Sequence, residues 1–160
     1  MIIKTSITLL VSFLANRICN IRAKLIKHTP LPDILHQLIK PIPHYIPDIL
    51  LLISFIGLIS QKLNTNMIFD TINYTCNCLI IRFLTTIVTT IPSCVPNNTL
   101  TGKYDLMFSG HTILFQAIAS LYDLYLINFI IKWIFPFTLV LARQHYTNDV
   151  IVAMAVYNIW

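Results

Sequence analysis

The sequence is poor in charged residues and contains no glutamate. Its 160 residues include only six acidic side chains, all of them aspartate, and 11% of the chain is charged. An average soluble domain is roughly 25% charged, whereas 56% of this chain is hydrophobic and its mean hydropathy is +0.74. A chain of this size cannot bury so much apolar surface inside a water-soluble globule. The composition therefore excludes an ordinary soluble domain and a disordered chain, and it predicts a protein whose solvent is lipid.

Cysteine is scarce as well, and no metal-ligand pattern is present. The four cysteines match no zinc spacing and are too few for a disulfide framework. The histidines and aspartates form no cluster with ligand spacing, so we predict no metal and no cofactor. Eleven basic residues give a net charge of +5, but they are scattered between apolar runs. This distribution favours contact with anionic lipid headgroups and predicts no nucleic-acid partner.

Six apolar runs organise the chain, at about 2–15, 45–60, 78–91, 110–125, 126–142 and 149–160. They predict an all-α polytopic membrane protein, with about six transmembrane helices in a compact bundle and one domain over 1–160. A bilayer core of about 30 Å needs about 20 helical residues, so the shorter runs require flanking residues or local membrane thinning. The first run ends at Phe13-Leu-Ala15, which lacks a small residue three positions before a cleavage site. We therefore interpret it as a retained anchor and not as a signal peptide.

Two short motifs carry the candidate chemistry. Asp105-Leu-Met-Phe-Ser-Gly-His-Thr112 opens the fourth run, and His145-Tyr-Thr-Asn-Asp149 opens the sixth. Four residues apart on a helix, His145 and Asp149 lie on one face, so the carboxylate can hold one ring nitrogen and leave the other free to attack. Two histidines and one carboxylate suffice for phosphoryl transfer without a metal: one imidazole attacks phosphorus, and the other protonates the leaving oxygen.

The two histidine motifs must share one end of the bundle for this chemistry. As a single helix, the segment from His111 to His145 would separate the two rings by about 51 Å. Polar residues between Asp123 and Asn128 interrupt the apolar stretch and predict a turn there. A helical hairpin with that turn brings both motifs to the same face.

Five further residues are candidates for substrate binding. We expect Ser109 and Gly110 to cap the helix and to permit close backbone approach to a phosphate. Asp105 has two open interpretations, stabilisation of the helix entry or contact with the headgroup. Arg143 either neutralises a phosphate oxygen or anchors the chain at headgroups, and Tyr146 adjoins the predicted nucleophile.

At these residues the sequence resembles the sphingomyelin synthase family, the ceramide phosphotransferase branch of the type 2 phosphatidic acid phosphatase superfamily. Pro30-Leu-Pro-Asp33 and the later Pro47-Asp-Ile-Leu are similar to the family's proline-rich loop between its first two membrane helices. Arg82 and the threonines that follow it up to Pro92 are similar to the third-helix pattern. The resemblance thus covers most of the chain in order.

The resemblance implies a six-helix membrane enzyme with a His-His-Asp triad. His145 would be the nucleophile, Asp149 its orienting partner, and His111 the acid and base. The enzyme would transfer phosphocholine, phosphoethanolamine or phosphoinositol from a glycerophospholipid to ceramide. The implied location is an endomembrane such as the Golgi or the plasma membrane, with the site on the lumenal or outer face.

Several features depart from the family pattern. Lys103-Tyr104 replaces the usual Cys-Gly before the first motif, and the two histidines are closer in sequence than in the family. From Asp149 to Trp160 the last helix reaches only about 18 Å, which fits either a compact form or a truncated one. Two alternatives therefore stay open. One is a lipid phosphate phosphatase. Against it, Arg143 lies only two residues before His145, whereas the phosphatase branch has a longer Arg-to-His spacing, and we find no match to that branch's upstream motif. The other alternative is a non-catalytic membrane relative.

Sidedness is predicted in two conflicting ways. Six spans place the segments 16–44, 92–110 and 143–148 on one side, together with the site. Their excess of Lys and Arg predicts a cytoplasmic site by the positive-inside rule, whereas the resemblance implies a lumenal one. The glycosylation sequons Asn73-Tyr-Thr75 and Asn97-Asn-Thr99 are expected on opposite faces, so glycan on Asn97 would support a lumenal site.

Overall fold

In a computed structural model, residues 2–25, 31–89 and 108–159 are described, and their regular structure is entirely helical. The helices are α1 (Ile2–Leu25), α2 (Ile34–Leu38), α3 (Ile46–Ile59), α4 (Thr65–Val88), α5 (Gly110–Ser120), α6 (Tyr125–Phe129), α7 (Phe135–Leu141) and α8 (Thr147–Ile159). A π-helical turn, Ile130–Ile134, joins α6 to α7. The prediction of an all-α chain is confirmed for these residues.

The third apolar run belongs to a helix that begins earlier than predicted. Asn64 caps α4, because its side chain accepts a hydrogen bond from the Asn66 amide at 2.9 Å. The segment from Thr65 onward is therefore helical, including Asn73, whose side chain accepts a hydrogen bond from Lys4 of α1. A sequon within a helix lacks the loop setting of a glycosylation site, so Asn73 is a poor reporter of sidedness.

Helix α5 lies at the centre of the described fold and contacts α3, α4, α7 and α8. Apolar side chains on several sides of this helix are completely buried, among them Ile113, Phe115 and Ala119. Phe115 packs edge-on against Phe135 near α7, with ring centroids 5.8 Å apart. A helix enclosed in this way holds its first residues in a fixed position relative to the neighbouring helices.

The chain reverses directly after α5. The helix ends at Ser120, and α6 begins at Tyr125. The Tyr122 hydroxyl donates to the Ser54 carbonyl at 2.7 Å, and the Asn128 side chain donates to the Ala119 carbonyl at 2.7 Å. These bonds fix the turn slightly before the predicted 123–128, and the returning helices bring the second motif back to the start of α5.

The π-helical turn has a local cause in Pro136. Proline has no backbone N–H, so the carbonyl four residues earlier, that of Lys132, receives no helical hydrogen bond from position 136. The side chain of Gln116 donates to this carbonyl at 2.6 Å. The returning helix is thus tied to α5 at its irregular point.

Of the described helices, α4 is long and apolar enough to cross a membrane, and α3 and the stretch Tyr125–Leu141 are shorter apolar helices. Helix α3 is apolar nearly all round, and Leu52, Ile53, Phe55 and Ile56 each expose more than half of their surface.

Candidate functional site

Ser109 joins the two motifs. Its side chain caps α5 by accepting a hydrogen bond from the Thr112 amide at 3.1 Å, as the sequence predicts. Its own amide donates to the Asp149 carbonyl, in the first turn of α8, at 3.2 Å. Because Ser109 is completely buried, this contact holds the start of α5 against the start of α8. The predicted proximity of the two motifs is observed.

His145 and Asp149 form a buried pair at the start of α8. The His145 Nδ1 lies 3.5 Å from the Asp149 Oδ2, and the two residues are 5% and 3% exposed. The same Oδ2 accepts a hydrogen bond from the Tyr146 amide at 3.1 Å, which fixes the carboxylate. At 3.5 Å the contact is electrostatic and slightly too long for a hydrogen bond. Since Nδ1 faces the carboxylate, the other ring nitrogen, Nε2, is not engaged by Asp149.

His111 has a carboxylate partner of its own, which the sequence analysis missed. The His111 Nε2 lies 3.4 Å from Oδ1 of Asp48, in the first turn of α3. The Asp48 side chain is 57% exposed, so this pair is much more open to solvent than the pair on α8. An acidic residue just after Pro47 at a helix start is usually explained by the helix dipole, and for that reason the sequence alone gives no sign of the pairing.

Arg82 adds a positive charge beside the start of α5. It is 8% exposed on α4, and its Nε donates to the Phe108 carbonyl at 2.7 Å. A Cβ atom at Gly110 would lie 3.5 Å from this Nε, so the guanidinium packs directly against the first residue of α5. His111 directly follows Gly110 on α5, and the bond from Ser109 to Asp149 holds this end of α5 against the start of α8.

These groups together offer several hydrogen-bond donors to an anion, with the carboxylates of Asp48 and Asp149 against the two imidazoles. The amide groups at a helix N-terminus, two imidazoles and a buried guanidinium all favour a bound anion. The sequence signal for Arg82 is its position inside an apolar helix, where a charged side chain is costly and usually marks a functional site. Chemically, the helix amides and the Arg82 guanidinium can contact the oxygens of a phosphate ester.

Arg143 and Tyr146, predicted to bind substrate, contact the segment that precedes α3. Arg143 has a left-handed backbone (φ 55°), and its guanidinium donates to the His36 carbonyl at 2.8 Å. The Tyr146 hydroxyl accepts a hydrogen bond from the Leu31 amide at 3.0 Å, and its ring lies 5.9 Å from that of His36. Through these contacts both side chains hold the segment before α3 next to the site. Direct substrate binding by them stays a prediction.

Asp33 fixes the same segment to α8. Its carboxylate caps α2 through the amides of Leu35 and His36, and it also accepts hydrogen bonds from the Thr147 amide at 2.6 Å and the Thr147 hydroxyl at 2.9 Å. Burial by itself raises the pKa of Asp33, but the hydrogen bonds from Thr147 and His36 outweigh it and hold the pKa below its usual value. The carboxylate is therefore ionised at neutral pH and holds the loop that carries His145.

Two predicted substrate-binding residues remain, Gly110 and Asp105. Gly110 begins α5 and is partly exposed beside Arg82, which leaves its backbone accessible. Asp105 lies outside the described residues, as does the sequon at Asn97. Within the described ranges, no three His, Cys, Asp or Glu side chains come together in a group able to hold a metal ion.

Comparison with known proteins returned no match. No family model matches the sequence, no curated protein matches it, and no solved structure matches the fold.

Proposed function

We propose that this protein is a membrane-bound phosphotransferase that moves a phosphorylated headgroup from a glycerophospholipid to ceramide through a phosphohistidine on His145. The observation that carries the proposal is the presence of two histidines, each facing a carboxylate, beside the joined starts of α5 and α8: His145 with Asp149, and His111 with Asp48. The resemblance of the two motifs to the sphingomyelin synthase family supplies the substrate class.

In the first step, the Nε2 of His145 attacks the phosphorus of the donor. A P–N bond forms while the P–O bond to diacylglycerol breaks, and protonated His111 gives its proton to the departing oxygen. Asp149 stabilises the positive charge that the attacking imidazole acquires. Arg82 and the amides of α5 stabilise the charge on the phosphoryl oxygens.

In the second step, His111 takes the proton from the primary hydroxyl of ceramide. The hydroxyl oxygen forms a new P–O bond, the P–N bond breaks, and His145 returns to its neutral state. Water in place of ceramide would give hydrolysis by the same residues, which is the activity of a lipid phosphate phosphatase. The two activities therefore differ only in which acceptor reaches the phosphohistidine.

The apolar exposed surface supports a membrane location. Leu52, Ile53, Phe55 and Ile56 of α3 would be costly to expose to water but not to lipid. We propose that α1, α3, α4, α5, the α6–α7 segment and α8 make up the six spans, with thinning of the bilayer around the shorter helices. In the proposed topology the site faces the lumen or the outside, and glycan on Asn97 would support this orientation.

The test is purified protein in liposomes with labelled ceramide, phospholipid donors and phosphatidic acid. A labelled phosphosphingolipid supports transfer, and free phosphate from phosphatidic acid would favour the phosphatase instead. Absence of both products from a folded protein would favour a non-catalytic role. The donor headgroup follows from which phospholipid is consumed.

Two histidine variants make this test specific. His145→Ala removes the proposed nucleophile and should abolish product and acid-labile phosphoprotein alike. His44→Ala is the matched control, because His44 is exposed and its backbone carbonyl accepts the hydrogen bond from Gln144. Equal activity in both variants would refute the proposed nucleophile.

A further inference from the structure

An apolar groove of about 490 Å³ lies between α3, α4 and α5, with almost no polar surface. Leu52 and Phe55 of α3, Ile72 of α4, and Leu114 and Ile118 of α5 are among the side chains that line it. Asp48 lies in the same lining. The groove is therefore continuous with the carboxylate that contacts His111.

The direction of the groove follows from helix geometry. On α3, Asp48, Leu51, Phe55 and Leu58 recur every three or four residues and so lie along one face. On α5, Leu114 and Ile118 continue in the same way from His111, and Leu121 follows directly after the helix. Ten residues of helix span about 15 Å. The groove thus runs for about this length from a polar end, the Asp48 and His111 pair, to an apolar end near Leu58.

A polar end joined to an apolar channel matches an amphiphile with a reactive hydroxyl and a hydrocarbon chain. We propose that the groove binds the hydrocarbon chain of the lipid alcohol next to His111. This alcohol is the diacylglycerol that leaves the phosphorus in the first step and the ceramide whose oxygen bonds to it in the second. This inference rests on the proposed function and names where its alcohol component lies.

The two half-reactions use the same groove in turn. With His145 attacking from one side, the alcohol oxygen lies on the opposite side of the phosphorus, next to His111. The leaving diacylglycerol takes a proton from His111 as its P–O bond breaks, and the incoming ceramide gives one back as its own P–O bond forms. The alcohol oxygens of diacylglycerol and ceramide therefore occupy the same position, and the hydrocarbon chain of each enters the same groove. Diacylglycerol should therefore compete with ceramide.

Two neighbouring residues give a matched test of the groove. Leu52 and Ile53 are each 57% exposed on α3, but only Leu52 lines the groove. Leu52→Trp narrows the groove, and we expect the ratio of transfer to long-chain over short-chain ceramide to fall about tenfold, the equivalent of about two buried methylenes. Ile53→Trp should leave the ratio within about twofold of the unchanged protein. Equal chain-length ratios in both variants would overturn the groove proposal.

A second measurement separates the groove from the catalysis. The His145→Ala protein in liposomes is illuminated with a ceramide that carries a photoreactive group near the end of its chain, and the crosslinked peptides are identified. Crosslinks concentrated on groove residues such as Ile118 and Leu121, and displaced by excess diacylglycerol, support the site. Equal crosslinking at Ile53 would indicate bulk lipid only and would overturn it.

The two proposals fail in different ways. Crosslinks in the groove without transfer or phosphoprotein in the unchanged protein would refute the enzyme and leave a lipid-binding groove. Transfer that is present and abolished by His145→Ala, with crosslinks elsewhere, would refute the groove and leave the enzyme.

Discussion

Replacing Asp149 with asparagine isolates the contribution of one buried charge. One oxygen of this carboxylate, Oδ2, faces the His145 Nδ1 at 3.5 Å and also accepts the Tyr146 amide hydrogen bond at 3.1 Å. That amide requires an acceptor, so the asparagine will place its oxygen at the same position and keep the geometry. Asp149→Asn therefore removes the charge and leaves the acceptor in place.

The expected loss of rate follows from this distance. At 3.5 Å and an effective dielectric constant of about 20, a full positive charge on the imidazole gains about 5 kcal/mol from the carboxylate. A ring that carries half of that charge in the transition state gains about half as much. Because each 1.36 kcal/mol is a factor of about ten in rate, we expect Asp149→Asn to slow phosphohistidine formation between about 50-fold and about 3,000-fold.

The assay is single-turnover formation of the phosphoprotein from labelled phospholipid in liposomes. Asn148→Ala is the control, since Asn148 is the exposed neighbour of Asp149 and should react at the unchanged rate. Thermal unfolding of both variants tests whether the fold is kept. A folded Asp149→Asn protein that reacts within about twofold of the unchanged rate would refute the role assigned to this charge.

Three further predictions concern other contacts. Asp48→Asn should slow transfer by at most about tenfold, because water screens the exposed pair with His111; a loss as large as that for Asp149→Asn in steady-state turnover would contradict this ranking. The lowered pKa of Asp33 means that the stabilisation from its carboxylate is complete above the unfolded pKa of about 3.9 and is lost as pH falls below about 4. Asp33→Asn should therefore weaken the acid dependence of the melting temperature. A melting temperature that falls with acid as steeply as in the unchanged protein would argue against these hydrogen bonds. Gly57→Ala should lower the free energy of unfolding by about 1–3 kcal/mol, because the added Cβ would lie 2.2 Å from the Tyr122 hydroxyl. In denaturant unfolding, adding Tyr122→Phe should recover part of this loss. Strictly additive effects of the two substitutions would count against the clash.

Local features of the site could be predicted from the sequence. The pairing of His145 with Asp149 depends on a four-residue spacing in a single helix, and the capping role of Ser109 depends on the three residues after it. The return of the chain after α5 follows from polar residues in an apolar stretch. The predicted start of the third helix is wrong, because the polar first half of α4 lies outside the apolar run and is nevertheless helical. This half contacts α1 through the hydrogen bond from Lys4 to Asn73.

Contacts between distant residues could not be predicted in this way. Asp48 meets His111 across 63 positions, and Asp33 meets Thr147 across 114. In the sequence both aspartates look like ordinary residues at helix starts. Their roles depend on which helices pack together, and no local pattern contains that information.

The sequence by itself determined the apolar composition, the helical class and the residues with reactive side chains, because these depend on residue type and short-range periodicity. The tertiary structure decided which carboxylate faces which imidazole, where the buried guanidinium of Arg82 lies, and that an apolar groove begins at Asp48, the partner of His111. The physical reason is that each of these contacts joins side chains on different helices, and only the packing around α5 sets their distances.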